Sequence, residues 1–163
     1  MVIDFNTAAT AQDATKRATK LAWDAAAAVL DPEVPAVTVA ELGILRDVRI
    51  DDRGRAIAKV TPTYSGCPAV LAIEIAIETA LMKAGFDAVI ERVITPAWTT
   101  DWITEEGREK LRAYGIAPPV KAATSPRALF GEVTVSCPRC ASANTAKISE
   151  FGSTACKAQY QCR

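Results

Sequence analysis

The feature that most constrains the fold is the segment 61–68, TPTYSGCP, because it joins a strand-like stretch to a helix-like one. Residues 56–60 have the composition of a strand. Residues 69–84 carry apolar side chains three and four positions apart, which is the spacing of an amphipathic helix. Gly66 allows a tight turn between them, and Pro68 suits the first position of a helix. The sequence therefore predicts a strand–turn–helix unit.

Cys67 would then lie at the amino-terminal end of that helix. The first N–H groups of a helix have no intrahelical partner, and the helix dipole places partial positive charge there. A thiol held at such a position is expected to be more thiolate-like, and more reactive, than an ordinary cysteine. The alternative is that Cys67 is a small buried apolar residue packing at the end of a core helix. The spacing alone leaves both interpretations open.

The rest of the first 100 residues predicts a small mixed sheet covered by helices, an α/β (α+β) fold. The expected helices are 7–30 and 68–84, and the expected strands are 44–50, 56–62 and 86–94. The first two strands should be antiparallel, because the turn between them is too short for a crossover connection.

Three further segments carry large apolar or charged residues. In the first helix, we expect Trp23 and Leu30 to face the core. Trp98 and Trp102 lie in a polar loop, where we expect partial burial with one ring available to a partner. Residues 104–114 begin with a capping pattern and predict a short, exposed helix.

Charge and hydropathy exclude several classes of protein. The 163 residues include 19 lysines and arginines against 19 aspartates and glutamates, so no overall basic field favours nucleic acid or an anionic membrane. No apolar run reaches the roughly 18 residues that a transmembrane helix needs. Residues 1–6 lack the positive charge of a secretory signal. We therefore expect a cytoplasmic protein, whose cysteines stay reduced and serve in catalysis or metal binding.

The chain contains no histidine. This excludes Ser-His-Asp and Cys-His nucleophiles, His-ligated zinc hydrolases and the two-histidine iron triad. Any metal chemistry must use thiolates or carboxylates. Asp31 and Glu33 flank Pro32 in a loop stiffened by two prolines. They either belong to a solvated loop or act as hard ligands near the cysteine loop, and the sequence does not choose between these.

The last third of the chain carries the other four cysteines. Cys137 and Cys140 form a Cys-x2-Cys pair, which in a tight turn aims two thiolates at one tetrahedral zinc ion. Cys156 and Cys162 follow with irregular spacing, so the second half of the site is less regular than the first. The alternative is a set of inert cysteines in a disordered tail.

Composition divides the chain into three parts. We expect a first domain at 1–119, a linker rich in Ala, Pro, Ser and Thr at 120–130, and a cysteine-rich, zinc-ribbon-like tail at 131–163.

Several motifs together resemble known families. The chain resembles the SufT-like iron–sulfur assembly domain at residues 31–35 (DPEVP), 41–44 (ELGI) and 61–68 (TPTYSGCP). A more specific resemblance extends over almost the whole chain, to the PaaD-like family, whose members are accessory to the multicomponent phenylacetyl-CoA epoxidase of phenylacetate degradation. It rests on 96–104 (PAWTTDWIT), 114–119 (YGIAPP), 137–140 (CPRC) and 151–157 (FGSTACK).

The resemblance implies a role in iron–sulfur cluster assembly or delivery, with Cys67 as the reactive thiol and Asp31 and Glu33 as its acidic loop. The implied cargo is a transient iron–sulfur cluster or iron. The implied partners are the epoxidase components, especially the iron–sulfur reductase, and the iron–sulfur assembly machinery. Clusters usually need four ligands. A homodimer sharing two copies of Cys67, nearby carboxylates or the client must therefore supply the rest.

For the tail, the resemblance implies zinc held by Cys137, Cys140 and Cys162. The family's tail usually continues with a further cysteine and an aromatic segment that this sequence does not include. The fourth ligand is therefore either Cys156 or a residue outside the sequence.

The expected function is thus a maturation factor rather than a catalyst. Two alternatives are a cysteine-dependent thioester (acyl-CoA) enzyme and a direct subunit of the epoxidase complex. An enzyme of that kind would need a general base beside Cys67, and without histidine only a carboxylate such as Asp31 or Glu33 could serve. A nucleic-acid-binding zinc ribbon is disfavoured by the balanced charge.

Overall fold

The computed structural model describes residues 5–119 and 135–163. The linker expected at 120–130 lies outside the described residues, so the predicted domain boundaries stay a prediction. The elements in chain order are α1 (Phe5–Ala27), β1 (Leu45–Ile50), β2 (Ala56–Val60), α2 (Val70–Lys83), β3 (Ala88–Arg92), a 3-10 turn (Thr100–Trp102), α3 (Glu105–Ala113), β4 (Thr145–Ser149) and β5 (Gln159–Cys162).

The first sheet has the order β1-β2-β3. β1 and β2 are antiparallel, as predicted, and β2 and β3 are parallel, with α2 as the crossover between them. The hairpin between β1 and β2 is fixed by Asp51, whose carboxylate accepts the backbone N–H groups of Arg53 and Arg55, each at 2.9 Å. Gly54 adopts a positive φ of 78° in this turn. The predicted three-stranded sheet is therefore confirmed.

Both long helices pack on one face of this sheet. Alternate residues of β2 point to that face, and α1 and α2 bury small and branched side chains against them. The buried cluster includes Ala22, Ala26, Val48, Ala56, Ala58, Val60, Ile73, Ile77 and Leu81. Trp23 packs at the margin of this cluster, as expected. Leu30 lies beyond the end of α1 and is 51% exposed, so its predicted burial is wrong.

Charged side chains occupy the opposite face of the sheet. Lys59 lies 3.4 Å from Asp47 on the neighbouring strand, and Arg49 of β1 reaches across β2 to Glu91 of β3 at 2.9 Å. Because these side chains are partly exposed, each ion pair stabilises the fold only slightly. Their main effect is to keep this face polar.

A second small core joins α3 to the turn that precedes β1. The Thr38 hydroxyl accepts the Glu41 N–H at 3.1 Å, and the Glu41 carboxylate accepts the Thr38 N–H at 2.8 Å, so the two residues cap this turn reciprocally. Glu41 also forms an ion pair with Lys110 of α3. Leu111 is 5% exposed, so α3 is not the wholly exposed helix that its sequence predicts.

The tryptophan loop packs on the same turn. The Trp98 indole N–H donates to the Leu42 carbonyl at 2.9 Å, and the Trp102 ring lies 3.5 Å from the Arg46 guanidinium, measured to the ring centroid. Gly43 has a φ of 68°, and a Cβ atom at this position would clash with Trp102. Both rings are half-buried, so the expected partial burial is confirmed.

The tail forms a separate hairpin in which β4 and β5 are antiparallel. The Cys137-x2-Cys140 turn comes before β4 and is closed by hydrogen bonds from Cys137 N to Ser142 O and from Ala141 N to Cys137 O, both 2.9 Å. This two-stranded ribbon confirms the predicted fold class, a small mixed sheet covered by helices with a ribbon-like tail. None of the helices in 5–119 or 135–163 is long and apolar enough to cross a membrane.

Candidate metal centres

Cys67 lies in a turn immediately before α2. Its N–H donates to the Tyr64 carbonyl at 3.3 Å, and its own carbonyl accepts the Val70 N–H at 3.3 Å. The helix begins at Val70, so the expectation that Pro68 is the first helical residue is wrong by two positions. The thiol is half-buried and lines a cleft.

The two predicted carboxylates line the same cleft but have different roles. Asp31 is 7% exposed, and its Oδ1 accepts the N–H groups of Glu33 at 2.9 Å and Val34 at 2.7 Å. It therefore holds the shape of its own loop. The Glu33 carboxylate is less buried and points towards the tail, where it lies 3.5 Å from a cysteine sulfur described below.

Tyr64 is a cleft residue that the sequence reasoning did not single out, although it lies within the 61–68 motif. Burial raises the pKa of its phenol, and the neighbouring Cys67 thiol, Cys156 thiol and Glu33 carboxylate raise it further. Tyr64 therefore stays a neutral donor. The sequence signal at this motif was the cysteine, and nothing in the spacing indicated the tyrosine.

Three of the four tail cysteines meet at one point. The sulfur atoms of Cys137, Cys140 and Cys162 all lie within 4.8 Å of one another, and the last two are 3.5 Å apart. A tetrahedral zinc ion with zinc–sulfur bonds of about 2.3 Å holds its sulfurs about 3.8 Å apart. The cluster thus supplies three of the four ligands of a structural zinc site, with Cys162 on β5 facing the Cys-x2-Cys turn.

The cluster is electrostatically prepared to bind a cation. Backbone N–H groups of Arg139 and Cys140 lower the pKa of Cys137 to about 7. Hydrogen bonding to the Cys140 and Cys137 thiols raises the pKa of Cys162 to about 11. One thiolate is therefore available near neutral pH, and a bound cation would displace the remaining protons.

Cys156 is not part of this cluster. It lies in the connection between β4 and β5, with its sulfur 3.1 Å from the Thr154 hydroxyl and 3.5 Å from the Glu33 carboxylate. Partial desolvation raises the pKa of the Cys156 thiol; the Thr154 hydroxyl opposes this rise and the Glu33 carboxylate adds to it. The structure therefore places the fourth predicted zinc cysteine beside the first domain.

A buried arginine also lines the cleft, and sequence reasoning missed it. Arg108 of α3 is 5% exposed and donates to the backbone carbonyls of Thr100, at 2.6 Å, and Pro119. Its position on a short polar helix gave no sign of burial. It ties the tryptophan loop to the residues that lead into the linker.

Comparison with known proteins finds two matching families. Residues 22–91 match the family described as iron–sulfur cluster assembly protein, and residues 121–163 match the PaaD zinc beta ribbon domain. A protein from Escherichia coli (strain K12), named as a putative subunit of 1,2-phenylacetyl-CoA epoxidase, is 48% identical over 141 residues, which cover 86% of this chain and 83% of that protein.

Two solved structures match part of this chain. A domain of unknown function, DUF59, from Bacillus anthracis superposes with a TM-score of 0.56 at 22% identity, covering 61% of this chain and 96% of that one. A conserved hypothetical protein from Thermotoga maritima gives a TM-score of 0.48 at 31% identity, covering 56% and 91%. The DUF59 match supports the fold alone.

The fold and the cysteine positions thus define an iron–sulfur assembly-type domain followed by a zinc-ribbon domain with a metal-binding cysteine cluster. The identity to the Escherichia coli relative covers most of both chains, and the chain belongs to the PaaD family.

Proposed function

We propose that this protein is a maturation factor that holds iron or an iron–sulfur cluster briefly at Cys67 and delivers it to a component of phenylacetyl-CoA epoxidase. The relative from Escherichia coli is named as a putative subunit of that epoxidase, and the first domain belongs to the iron–sulfur assembly family. The client that the family resemblance implies is the iron–sulfur reductase component.

The observation that carries the proposal is the placing of Cys67. Its thiol lies in a cleft with Tyr64 and Glu33, rather than in the packed core between α1, α2 and the sheet. Thiolates are the preferred ligands for iron in clusters. Carboxylates are harder ligands and bind such iron less tightly. A site with few thiolates suits a carrier, since a carrier must release what it binds.

The tail would have a structural role. Cys137, Cys140 and Cys162 would hold a zinc ion, which fixes the turn before β4 against β5. The ribbon buries few apolar side chains, so a metal would supply folding free energy that its own packing does not. This division assigns zinc to the tail and iron to the cleft.

The proposal is tested in cells that depend on phenylacetate. Cys67→Ser should preserve the fold, because it exchanges one atom in a half-buried turn, yet lower the cluster content of the reductase and the epoxidase activity. Ser65→Ala, an exposed change in the same turn, is the matched control and should retain both. Full activity and full cluster content with Cys67→Ser would contradict the proposal.

The competing class is a thioester enzyme, and an in vitro assay distinguishes it from a carrier. Purified protein is incubated with phenylacetyl-CoA, and free coenzyme A is measured against a Cys67→Ala control. A carrier releases no coenzyme A above background in either sample. Turnover that disappears with Cys67→Ala would replace the carrier proposal with a nucleophilic one.

A further inference from the structure

Cys156 has surroundings that a zinc-ribbon role does not explain. Its sulfur lies outside the cluster of Cys137, Cys140 and Cys162, and its polar neighbour in the first domain is Glu33, 123 residues away in the sequence. The Thr154 hydroxyl, 3.1 Å away, fixes the thiol from the ribbon side. The thiol is therefore presented by the ribbon to the first domain.

The groups around Cys156 are those of the Cys67 cleft. Glu33, Tyr64, Cys67 and Cys156 all line it, and we call these four residues the composite site. The Cys156 sulfur and the Glu33 carboxylate, 3.5 Å apart, line this cleft from the ribbon and from the first domain. Two thiols, a carboxylate and a phenol thus line one cleft from two parts of the chain.

We propose that Cys156 is a second thiolate ligand of the cargo bound at Cys67, so that the carrier site is shared between the assembly domain and the ribbon. This inference rests on the proposed carrier function and deepens it. It supplies within one chain a ligand that would otherwise have to come from a second copy of the chain or from the client.

The chemistry at the composite site is simple ligand exchange. Before binding, Cys156 is a neutral thiol beside the Glu33 carboxylate. When a ferrous ion binds, each thiol loses its proton to solvent and forms an iron–sulfur bond, with no change of oxidation state. Two thiolates and the Glu33 carboxylate then give three ligands from one chain, which leaves a position open for the client.

The first experiment measures the proximity of the two thiols without any iron. Protein that carries one equivalent of zinc is treated with dibromobimane, which links two neighbouring thiols with loss of two bromide ions, and the linked peptides are identified by mass spectrometry. We expect a peptide joining Cys67 to Cys156, and its loss with Cys156→Ser. Ser153→Ala, an exposed change beside it, should preserve the link. Links formed only among Cys137, Cys140 and Cys162 would overturn the composite site.

The second experiment measures iron binding. Ferrous iron alone is titrated anaerobically into the same one-zinc protein, and thiolate-to-iron charge-transfer absorption is followed. Loss of a residue that only supports a metal ligand weakens metal binding by about 10- to 100-fold. Loss of a ligand itself should weaken iron binding at least as much. We expect Cys156→Ser and Cys67→Ser each to weaken iron binding by at least this factor and to show about half of the wild-type charge-transfer intensity. Zinc content and circular dichroism verify that each variant is folded.

The outcomes separate the two proposals. If Cys156→Ser binds iron like the wild type while Cys67→Ser does not, the shared site is wrong and the carrier function stands. If the wild type takes up no ferrous iron, the shared iron site is wrong, and the carrier function is decided by the cell assay of Cys67→Ser. If iron binds only to a dimer and depends on Cys67 alone, the second ligand comes from another copy of the chain and not from Cys156.

Discussion

An ideal Cβ atom built on Gly43 would lie 2.6 Å from the Cβ of Trp102, so the tryptophan loop leaves no room for a side chain at position 43. Gly43 also has a φ of 68°, which disfavours any other residue. The turn before β1 and the 3-10 turn at Thr100–Trp102 therefore fit together only because this residue is glycine.

The first prediction follows from that contact. Gly43→Ala should lower the free energy of unfolding by about 2–4 kcal/mol, from the left-handed backbone and from overpacking. Gly54→Ala is the control, because Gly54 has a φ of 78° but open space around it; it should cost only about 1–2 kcal/mol. Urea denaturation measures both, and equal losses would show that contact with Trp102 is unimportant.

A second prediction concerns the ion pair of Glu41 and Lys110. Burial alone would raise the pKa of Glu41, but hydrogen bonds from Lys110 and Thr38 outweigh it and hold the pKa below its ordinary value of 4.5. The ionised carboxylate therefore stabilises the fold fully above pH 4.5, and this stabilisation is lost as the pH falls through the folded-state pKa.

Glu41→Gln should accordingly destabilise the protein by about 1 kcal/mol at pH 7, since Lys110 is partly exposed. The difference from the wild type should shrink below about pH 4. Thermal unfolding at several pH values measures it. A destabilisation that is the same at pH 3.5 and pH 7 would mean that the carboxylate charge has no role.

The third prediction concerns the ribbon. A strong chelator, or Cys140→Ser, should release one zinc ion and loosen residues 135–163, because a structural metal contributes folding free energy directly. Hydrogen exchange should rise in β4 and β5 and stay unchanged in β1, β2 and β3, which pack on α1 and α2. If intact protein contains no zinc and the chelator leaves hydrogen exchange in the tail unchanged, the zinc site does not exist.

The fourth prediction compares the two cleft thiols. Alkylation requires a thiolate, and the raised pKa of Cys156 keeps that thiol protonated. With zinc bound to the tail, iodoacetamide at pH 7.5 should modify Cys67 faster than Cys156, although Cys156 is the more exposed. Peptide mass spectrometry over time gives both rates. An inert Cys67 would indicate that the thiol only packs.

The elements predicted from sequence are those whose causes are local. The 3-4 spacing of apolar residues in α2 and the short turn between β1 and β2 each depend on near neighbours, and each appears in the structure. The glycine at position 85 has a φ of 92° just past the end of α2, a conformation in which glycine commonly ends a helix.

What sequence could not supply are contacts between distant segments. Arg108 is on a helix whose charge pattern predicts exposure, yet it is buried because carbonyl groups from two other segments surround it. Cys156 shows the same limit. Spacing groups it with the other tail cysteines, whereas the fold brings it to Glu33 from the opposite end of the chain. No local sequence pattern predicts such a long-range contact.

The three-stranded order also has a consequence for solubility. Within the described residues, β1 and β3 are outer strands, and their free backbone groups could pair with a strand of another molecule. β1 carries a bulge between Leu45 and Asp47, and charged side chains follow it. β3 ends at Arg92, which is clamped by both carboxylate oxygens of Glu74. An irregular edge on one side and a charged end on the other oppose edge-to-edge aggregation of the folded protein.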